Sequence, residues 1–341
     1  MNKRCTIRDV AKAAGVSVAT VSNVFNGINK VSEENRQMIL AVAKELDYQP
    51  NMVARSLSMQ KSGMIGLLLP IVEGGEEAGI LLQKNPYYAE FLSGMEQKAA
   101  ELKYDIIIRG LRPEESCREW IMRRQLEGAV FVGNASDVIS RDSKELGNRL
   151  VLLDTYDKGI LSYDNIRVED EKGGRLATSY LREKGHKNIA FAGSYIQYDG
   201  CIRRRFLGYQ KEMEAQGWYR QDLVYKNALS YEGGIAIGKQ MLKSQIPITA
   251  VFAASDTLAL GIMSAYREAG KDVPADLSVV GFDNTSTCDI SHPKLTTIDQ
   301  NTFLKGMKAV EILSQVGGTQ EEPASIILPV SLKERESVRE I

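Results

Sequence analysis

Short hydrogen-bonding and methyl-bearing side chains fill the stretch GVSVATVSNVFNG at residues 15–27, which contains no charged residue. Hydroxyl and amide groups can hydrogen-bond to base edges in the major groove of DNA, and methyl groups can contact thymine. Lysine and arginine are better suited to the phosphates. The composition is therefore typical of a surface that reads bases. The candidates for such contacts are Thr6, Ser17, Val18, Ala19, Thr20, Ser22 and Asn23.

Charge is distributed unevenly along the chain. Residues 1–61 contain nine Lys and Arg against five Asp and Glu, so this segment carries +4 while the remainder carries −5. A small basic unit joined to a larger acidic one favours contact with nucleic acid or an anionic surface. An imbalance of this size also arises by chance, so charge alone does not decide the function.

Several protein classes are excluded by composition. Two histidines, His186 and His292, cannot build a histidine-rich metal site, and we expect no metal and no cofactor. The first ten residues contain no apolar stretch, and no apolar run in the chain approaches the ~18 residues of a membrane span. We therefore expect a cytoplasmic protein with reduced thiols and no membrane contact. The four cysteines are far apart, without disulfide or zinc spacing: Cys5, Cys117, Cys201 and Cys288.

Three short helices are predicted before residue 50. Thr6 can cap a helix over residues 6–14, with Asp9 three residues further on. Ser17 can cap a second helix, and Ser32 a third. Two short helices joined by a tight Ala-Gly-Val turn and packed by a third form a helix-turn-helix. A three-helix bundle that does not bind DNA remains the alternative.

From Gly63 onwards, buried strand-like runs alternate with amphipathic helical runs in two successive series. Such alternation predicts βαβ units and parallel sheets, and two series predict two α/β lobes. Ligands of open α/β sheets lie beyond the carboxyl ends of the strands. The polar residues at those positions are Asp154, Ser194, Ser255 and Asp283.

The segment TIRDVAKAAGVSVATVSNVFNG resembles the DNA-binding headpiece of the lactose/galactose repressor (LacI/GalR) family. The resemblance continues in order along nearly the whole chain, through YQPNMVARSL, NPYYAEFLSGME, GGRLATSYLREKGHKNIAFAG, RRRFLGYQKEM, ASDTLALGIMSAYREAGKDVPADLSVVGFDN and PKLTTIDQ. Several collinear motifs are far more specific than one helix-turn-helix. The resemblance implies a dimeric transcription factor, in which an all-α headpiece and a hinge helix precede a two-lobed, periplasmic-binding-protein-like α/β core of parallel sheets flanked by helices.

Domain boundaries follow from the resemblance and from the alternation of strand-like and helical runs that begins near Gly63. We expect a headpiece at residues 1–50, a hinge at 51–62 and a core at 63–341, divided into an N-lobe and a C-lobe. The expected lobes are about 63–167 with 293–324, and about 168–290 with 325–341.

By resemblance, Val18, Ala19 and Asn23 contact bases, and Leu57 enters the minor groove as an apolar wedge that bends the duplex. Many family members carry Arg or His where this chain has Asn23. Because Asn prefers adenine whereas Arg prefers guanine, the resemblance implies an unusual operator. The hinge residues implied to contact DNA are Asn51, Val53, Ala54, Arg55 and Leu57.

The resemblance also places Arg205, Asp283 and Ser255 at effector-binding positions. A forked arginine donor and a carboxylate acceptor suit a sugar or another polyol. From the residues alone, an ordinary ion pair of Arg205 and a capping role of Asp283 are the alternatives. Two departures bear on the ligand: Leu229 stands where an aromatic residue is common, and residues 73–84 form a longer loop. The N-lobe candidates are Tyr87, Tyr88 and Asp154.

The expected function is therefore a transcriptional regulator, a repressor that binds a pseudo-palindromic operator in double-stranded DNA as a homodimer. A small-molecule effector, a carbohydrate, would control operator affinity by favouring one arrangement of the lobes. The alternatives are a sugar-binding module or an enzyme without a DNA-binding role. The sequence contains no Gly-x-x-x-x-Gly-Lys, no Gly-x-Ser-x-Gly and no supported Ser–His pair, which argues against an enzyme.

Overall fold

Three short helices form in the N-terminal unit because each follows a residue that caps it. Helix α1 spans Ile7–Ala13, α2 Val18–Phe25 and α3 Glu33–Glu45. The backbone N–H of Thr6 donates to Asp9 Oδ2 at 2.9 Å, which forms the predicted capping box. Ser17 Oγ accepts the N–H of Thr20 at 3.0 Å, and Ser32 Oγ accepts that of Asn35 at 3.4 Å. The predicted three-helix order is confirmed.

The computed structural model describes residues 5–26, 28, 30–49, 62–71, 82–112, 114–133, 146, 149–156, 163–194, 196–197, 200–315, 323 and 325–341. The chain divides into two units, Met1–Gly63 and Met64–Ile341. The predicted hinge contacts Asn51, Val53, Ala54, Arg55 and Leu57 lie outside the described residues, and so does most of the 73–84 loop. None of the helices in the described part is long and apolar enough to cross a membrane.

The second unit contains twelve strands in its described residues: β1 Met64–Pro70, β2 Asp105–Leu111, β3 Gly128–Val132, β4 Leu150–Leu153, β5 Asp164–Val168, β6 Ile189–Gly193, β7 Val224–Lys226, β8 Ala250–Ala253, β9 Ser278–Asp283, β10 Thr296–Asp299, β11 Ser325–Leu328 and β12 Ser331–Lys333. They form two six-stranded sheets, ordered β11-β5-β4-β3-β1-β2 and β12-β10-β9-β8-β6-β7. All pairings are parallel except β10 with β12, which is antiparallel. The two predicted α/β lobes are therefore present.

Helices cover both sheets. They are α4 Pro86–Leu102, α5 Cys117–Arg123, α6 Asp170–Glu183, α7 Cys201–Ala215, α8 Tyr231–Met241, α9 Asp256–Glu268, α10 Thr287–Ile290 and α11 Thr302–Ser314. Helix α6 packs on strands of the second sheet, whereas α11 packs on β3, β4 and β5 of the first. The apolar cores of the strands are fully buried, as the runs AVFV and VLL in the first sheet and AVFA in the second illustrate.

The chain passes between the lobes at residues 168–170, 299–302 and 328–331. Two of these differ from the expected boundaries, which assigned 293–324 to the N-lobe and 325–341 to the C-lobe. Strand β10 belongs to the second sheet, where Thr296 pairs beside Val280. Strand β11 belongs to the first sheet, where Ser325 pairs beside Asn165. The boundaries were wrong because β10 and β11 are only four residues long each, and so short a local sequence does not specify which sheet it pairs with.

Two glycines allow α4 and α11 to pack closely. A Cβ added at Gly94 would lie 2.0 Å from the carbonyl oxygen of Phe303, and one added at Gly306 would lie 2.2 Å from that of Phe91. Both neighbours are backbone atoms, which cannot rotate away as a side chain does. The close approach fixes the position of α11 against α4, and α11 carries Lys305, which enters the polar network described below.

We predict that Gly306→Ala destabilises the core by about 1–3 kcal/mol, because the methyl group forces the two helices apart. Helix propensity alone would make the alanine variant more stable by up to about 1 kcal/mol. A loss of stability would therefore be due to the steric clash. Urea unfolding at fixed protein concentration measures the difference. Gly200→Ala is the control, because a Cβ there meets nothing within 4 Å. Unchanged or increased stability of Gly306→Ala would contradict the packing described here.

Candidate nucleic-acid interface and inter-lobe network

Helix α2 has a buried face and an exposed face. Val21 and Val24 are buried and pack against Val10 and Ile39 of the other two helices. Val18 is 42 % exposed, and Ala19 is exposed beside it. The outer face of the helix therefore presents small apolar groups, as expected of a helix that fits the major groove.

The hydroxyl groups near this face are partly committed to local structure. Thr6 Oγ1 donates to Asp9 at 2.7 Å, and the hydroxyls of Ser17 and Thr20 lie 2.8 Å apart. Ser22 Oγ accepts from the side-chain amide of Asn26 at 3.2 Å. By contrast, the half-buried Asn23 side chain makes no hydrogen bond to any residue that the structure describes. Asn23 consequently has an amide group available to a partner.

The predicted carboxylates lie at the carboxyl ends of their strands, one in each lobe. Asp154 follows β4 with φ +55°, and Asp283 ends β9 with φ +129°. Positive φ is uncommon for residues with a side chain, and such backbone strain is concentrated at functional sites. Both side chains are buried. They belong to a set that we call the inter-lobe network: Tyr87, Asp154, Tyr156, Asp170, Arg205, Asp283, Gln300 and Lys305.

Lys305 and Asp154 form the part of the network that lies in the N-lobe. Lys305 Nζ donates to both carboxylate oxygens of Asp154 at 2.8 Å, and Tyr87 Oη donates to Asp154 Oδ2 at 2.9 Å. Lys305 Nζ also donates to Gln300 Oε1 at 2.7 Å. The Lys305 side chain is completely buried. Tyr88 is half-buried and packs edge-on against Tyr87, with ring centroids 5.4 Å apart.

Arg205 is the centre of the part that lies in the C-lobe. Its Nε donates to Asp170 Oδ1 at 2.7 Å, and its Nη1 donates to the carbonyl oxygen of Ala254 at 2.7 Å. The same Nη1 lies 3.5 Å from Asp283 Oδ1. The guanidinium carbon is 3.6 Å from the ring centroid of Phe282, a cation–π contact. Arg205 and Asp283, predicted to act together, are therefore adjacent.

Two further groups connect these parts. Tyr156, which follows β4, donates through Oη to Asp170 Oδ2 at 2.5 Å. The Gln300 amide donates to Asp283 Oδ1. Asp170 and Gln300 both lie where the chain passes between the lobes. Hydrogen bonds run from Tyr87 through Asp154, Lys305 and Gln300 to Asp283, and the ion pair at 3.5 Å continues this path to Arg205 in the other lobe.

Burial shifts the pKa values of titratable groups in this network and of two groups near it, Tyr88 and Cys201. Burial raises the pKa of Asp283 well above its ordinary value, although the positive charge of Arg205 opposes the shift. Burial likewise raises the pKa of Asp170, against the effect of Arg205. Burial raises the pKa of Tyr88 and of Cys201 to about 12 each, so both remain protonated near neutral pH. The network thus offers hydroxyl, amide, guanidinium and carboxyl groups that can orient a polar ligand.

Ser255 has a structural partner. Its Oγ accepts the N–H of Leu258 at 3.3 Å and so caps α9, and the residue is buried. Contact of Ser255 with a ligand stays a prediction. Sequence reasoning missed four members of the network: Tyr156, Asp170, Gln300 and Lys305. One signal was available, since Lys305 interrupts the otherwise small and apolar buried stripe of α11.

No set of three or more His, Cys, Asp or Glu in the described part of the chain could hold a metal ion.

Comparison with known proteins gives the family. The family model "Bacterial regulatory proteins, lacI family" matches residues 6–51, and the model "Periplasmic binding protein-like domain" matches residues 178–338. The chain is 32 % identical to the HTH-type transcriptional regulator RegA of Clostridium saccharobutylicum, over 97 % of this chain and 98 % of that protein. The chain belongs to the lacI family of bacterial regulatory proteins.

Two solved structures of lacI-family proteins are similar to this chain throughout their length. The Lac repressor dimer bound to operator and the anti-inducer ONPF matches with a TM-score of 0.82 and 27 % identity, covering 99 % of this chain and all of the other. A LacI family transcriptional regulator from Enterococcus faecium with bound ribose matches with a TM-score of 0.70 and 26 % identity, covering 82 % of this chain and 99 % of the other.

Family membership decides among the functions considered from the sequence. The protein is a transcriptional regulator with a LacI-type helix-turn-helix headpiece and an effector-binding core. Its relatives are regulators rather than enzymes. A sugar-binding module alone would not contain the headpiece at residues 6–51.

We predict that Arg205→Met destabilises the core by about 3–5 kcal/mol, because Asp170 stays buried without its paired cation. Equilibrium denaturation measures the loss. Lys211→Ala, on the same helix, removes an exposed ion pair with Glu171 and should change stability by about 0–1 kcal/mol. Equal effects of the two substitutions would mean that Arg205 does not neutralise a buried carboxylate.

Proposed function

We propose that the protein is a repressor that binds a pseudo-palindromic operator as a homodimer and responds to a sugar or sugar derivative bound between its lobes. The observation that carries the proposal is the juxtaposition of Arg205 and Asp283 at the carboxyl end of the second sheet, joined through Gln300 and Lys305 to Asp154 at the end of a strand in the first. A ligand placed there contacts both lobes. The protein acts by binding, in the cytoplasm where its operator lies, and not by catalysis.

The DNA-binding part of the proposal rests on α2. Val18 and Ala19 supply exposed methyl groups, and Asn23 supplies an amide with no partner among the described residues. The hydroxyls of Thr6, Ser17, Thr20 and Ser22 can contact DNA while they keep their local hydrogen bonds, because a hydroxyl has two acceptor lone pairs and one donor. The Lac repressor relative, seen as a dimer on its operator, supports the dimeric arrangement. Further contacts are proposed for Asn51, Val53, Ala54, Arg55 and Leu57.

The effector part rests on the inter-lobe network. A forked guanidinium and a carboxyl group side by side match a diol, which both donates and accepts hydrogen bonds. The bound ribose in the Enterococcus faecium relative supports a carbohydrate. An effector changes operator affinity only if it binds one arrangement of the lobes better than the other. Tyr88 and Ser255, with Tyr87 and Asp154, complete the proposed set.

We predict that Asn23→Ala relaxes base preference at one position in each half-site, by about 1–3 kcal/mol, because one bidentate amide contact is lost. Selection of binding sites from random DNA, with the full-length wild type and variant in parallel, measures the preference. Lys12→Ala, a change at an exposed basic residue of α1, should weaken binding to all sequences alike if it contacts phosphate. An unchanged consensus for Asn23→Ala would show that Asn23 does not read a base.

We predict that Asp283→Ala binds operator nearly as well as the wild type yet loses its response to effector. The expected coupling in the wild type is about 1–3 kcal/mol. A thermal-shift screen of sugars with the wild type identifies the ligand, and operator titration with and without that ligand measures the response. Asp222→Ala, at a side chain that is 76 % exposed and does not belong to the inter-lobe network, should respond as the wild type does. A full response of Asp283→Ala would place the effector elsewhere.

A further inference from the structure

Lys305 is buried where its helix otherwise presents small and apolar residues. The buried positions of α11 are Thr302, Lys305, Gly306, Ala309, Val310, Ile312 and Leu313. No atom of the Lys305 side chain reaches solvent. Burying an ammonium group is strongly unfavourable unless it is paired and hydrogen-bonded, so its partners explain its presence.

One of its partners, Asp154, belongs to the proposed effector site. Both oxygens of Asp154 accept from Lys305 Nζ at 2.8 Å, and Oδ2 also accepts from Tyr87. The ammonium group also donates a hydrogen bond to Gln300 Oε1 at 2.7 Å. Lys305 therefore engages both oxygens of Asp154, an N-lobe candidate for effector contact in the sequence analysis.

The same ammonium connects the lobes. Lys305 lies on a helix that packs on the first sheet, and its ammonium group donates to Gln300. The Gln300 amide in turn donates to Asp283, at the end of β9 in the second sheet. A second link joins the lobes separately: the backbone N–H of Ser286 donates to Glu90 Oε1 of α4 at 2.6 Å. The lobes are thus held together through side chains of the chain itself.

We propose that Lys305 is a built-in counter-ion of the effector site. Its ammonium group pairs with the Asp154 carboxylate and, through hydrogen bonds by way of Gln300 to Asp283, holds the two lobes together. This inference rests on the proposed function, because it assumes that the effector binds in this region. It also narrows the chemical class of the effector. Because Lys305 already neutralises the N-lobe carboxylate, the effector meets no unpaired buried anion at Asp154. It presents no ammonium group to the N-lobe.

Chemical rescue tests this role without any effector. Lys305→Ala leaves Asp154 buried beside a space that a small alkylammonium ion can fill. Methylammonium or ethylammonium chloride should raise the thermal unfolding midpoint of full-length Lys305→Ala by about 2–4 °C at a concentration well above its dissociation constant. Tetramethylammonium chloride, which has no N–H donor, should not raise the midpoint, and the wild type should respond to none of the three salts.

Lys308→Ala is the matched control, since Lys308 lies on the same helix, is half exposed and pairs with Glu311 at 2.6 Å. It should show no rescue by any of the three ions. Equal responses of the two alanine variants, or no response of Lys305→Ala to methylammonium and ethylammonium, would overturn the proposal.

The double variant Asp154→Asn, Lys305→Met covers the case in which Lys305→Ala does not fold. Removing both charges together avoids an unpaired buried carboxylate, so this chain should fold. Amide hydrogen exchange should then become at least tenfold faster at Tyr87–Glu90 and Asp283–Ser286 than in the wild type, because the lobes have lost their ionic link. Exchange at the wild-type rate would overturn the proposal. Either failure leaves untouched both operator binding and the dependence of the effector response on Asp283. The proposed function is therefore tested separately, by the operator titration of Asp283→Ala.

Discussion

The structure of the core depends on one constraint: charges buried between the lobes must be neutralised there. Asp170 is paired with Arg205, and Asp154 with Lys305, in each case through hydrogen bonds of 2.7–2.8 Å. A buried ion pair contributes little net stability compared with an apolar packing, but loss of one partner is severe. The pairs therefore serve mainly to specify a geometry. They require that α6, α7 and α11 keep their positions at the strand ends.

This constraint also explains why the two lobes are coupled. Asp170 and Gln300 lie where the chain passes from one sheet to the other, and each bonds to a charged group of the core. A displacement of one lobe would lengthen bonds that cannot be replaced by water while the groups remain buried. Discrete arrangements of the lobes are expected under these conditions rather than continuous deformation. A ligand that contacts Arg205 and Asp283 would directly affect which arrangement of the lobes is favoured.

The headpiece follows a different principle. Its hydroxyl side chains start the helices, as Thr6, Ser17 and Ser32 do, and its valines fill the small core between them. The exposed face of α2 consists of what remains: Val18, Ala19 and an uncommitted amide at Asn23. The low charge of this helix is consistent with base recognition, because phosphate contacts can come from basic residues elsewhere on the headpiece.

Local patterns in the sequence determined much of this protein. Caps act within three residues, so the starts of α1, α2 and α3 could be predicted from Thr6, Ser17 and Ser32. Fully buried strands are apolar runs, so the α/β class and the strand-end positions of Asp154 and Asp283 could be predicted as well. Only the tertiary structure decided which sheet β10 and β11 join, because both strands are four residues long and so short a sequence does not specify its partner. It also decided the role of Lys305, whose carboxylate partner lies 151 residues away in the chain. A single buried lysine becomes stable only through that distant charge, and no local spacing encodes such a pair.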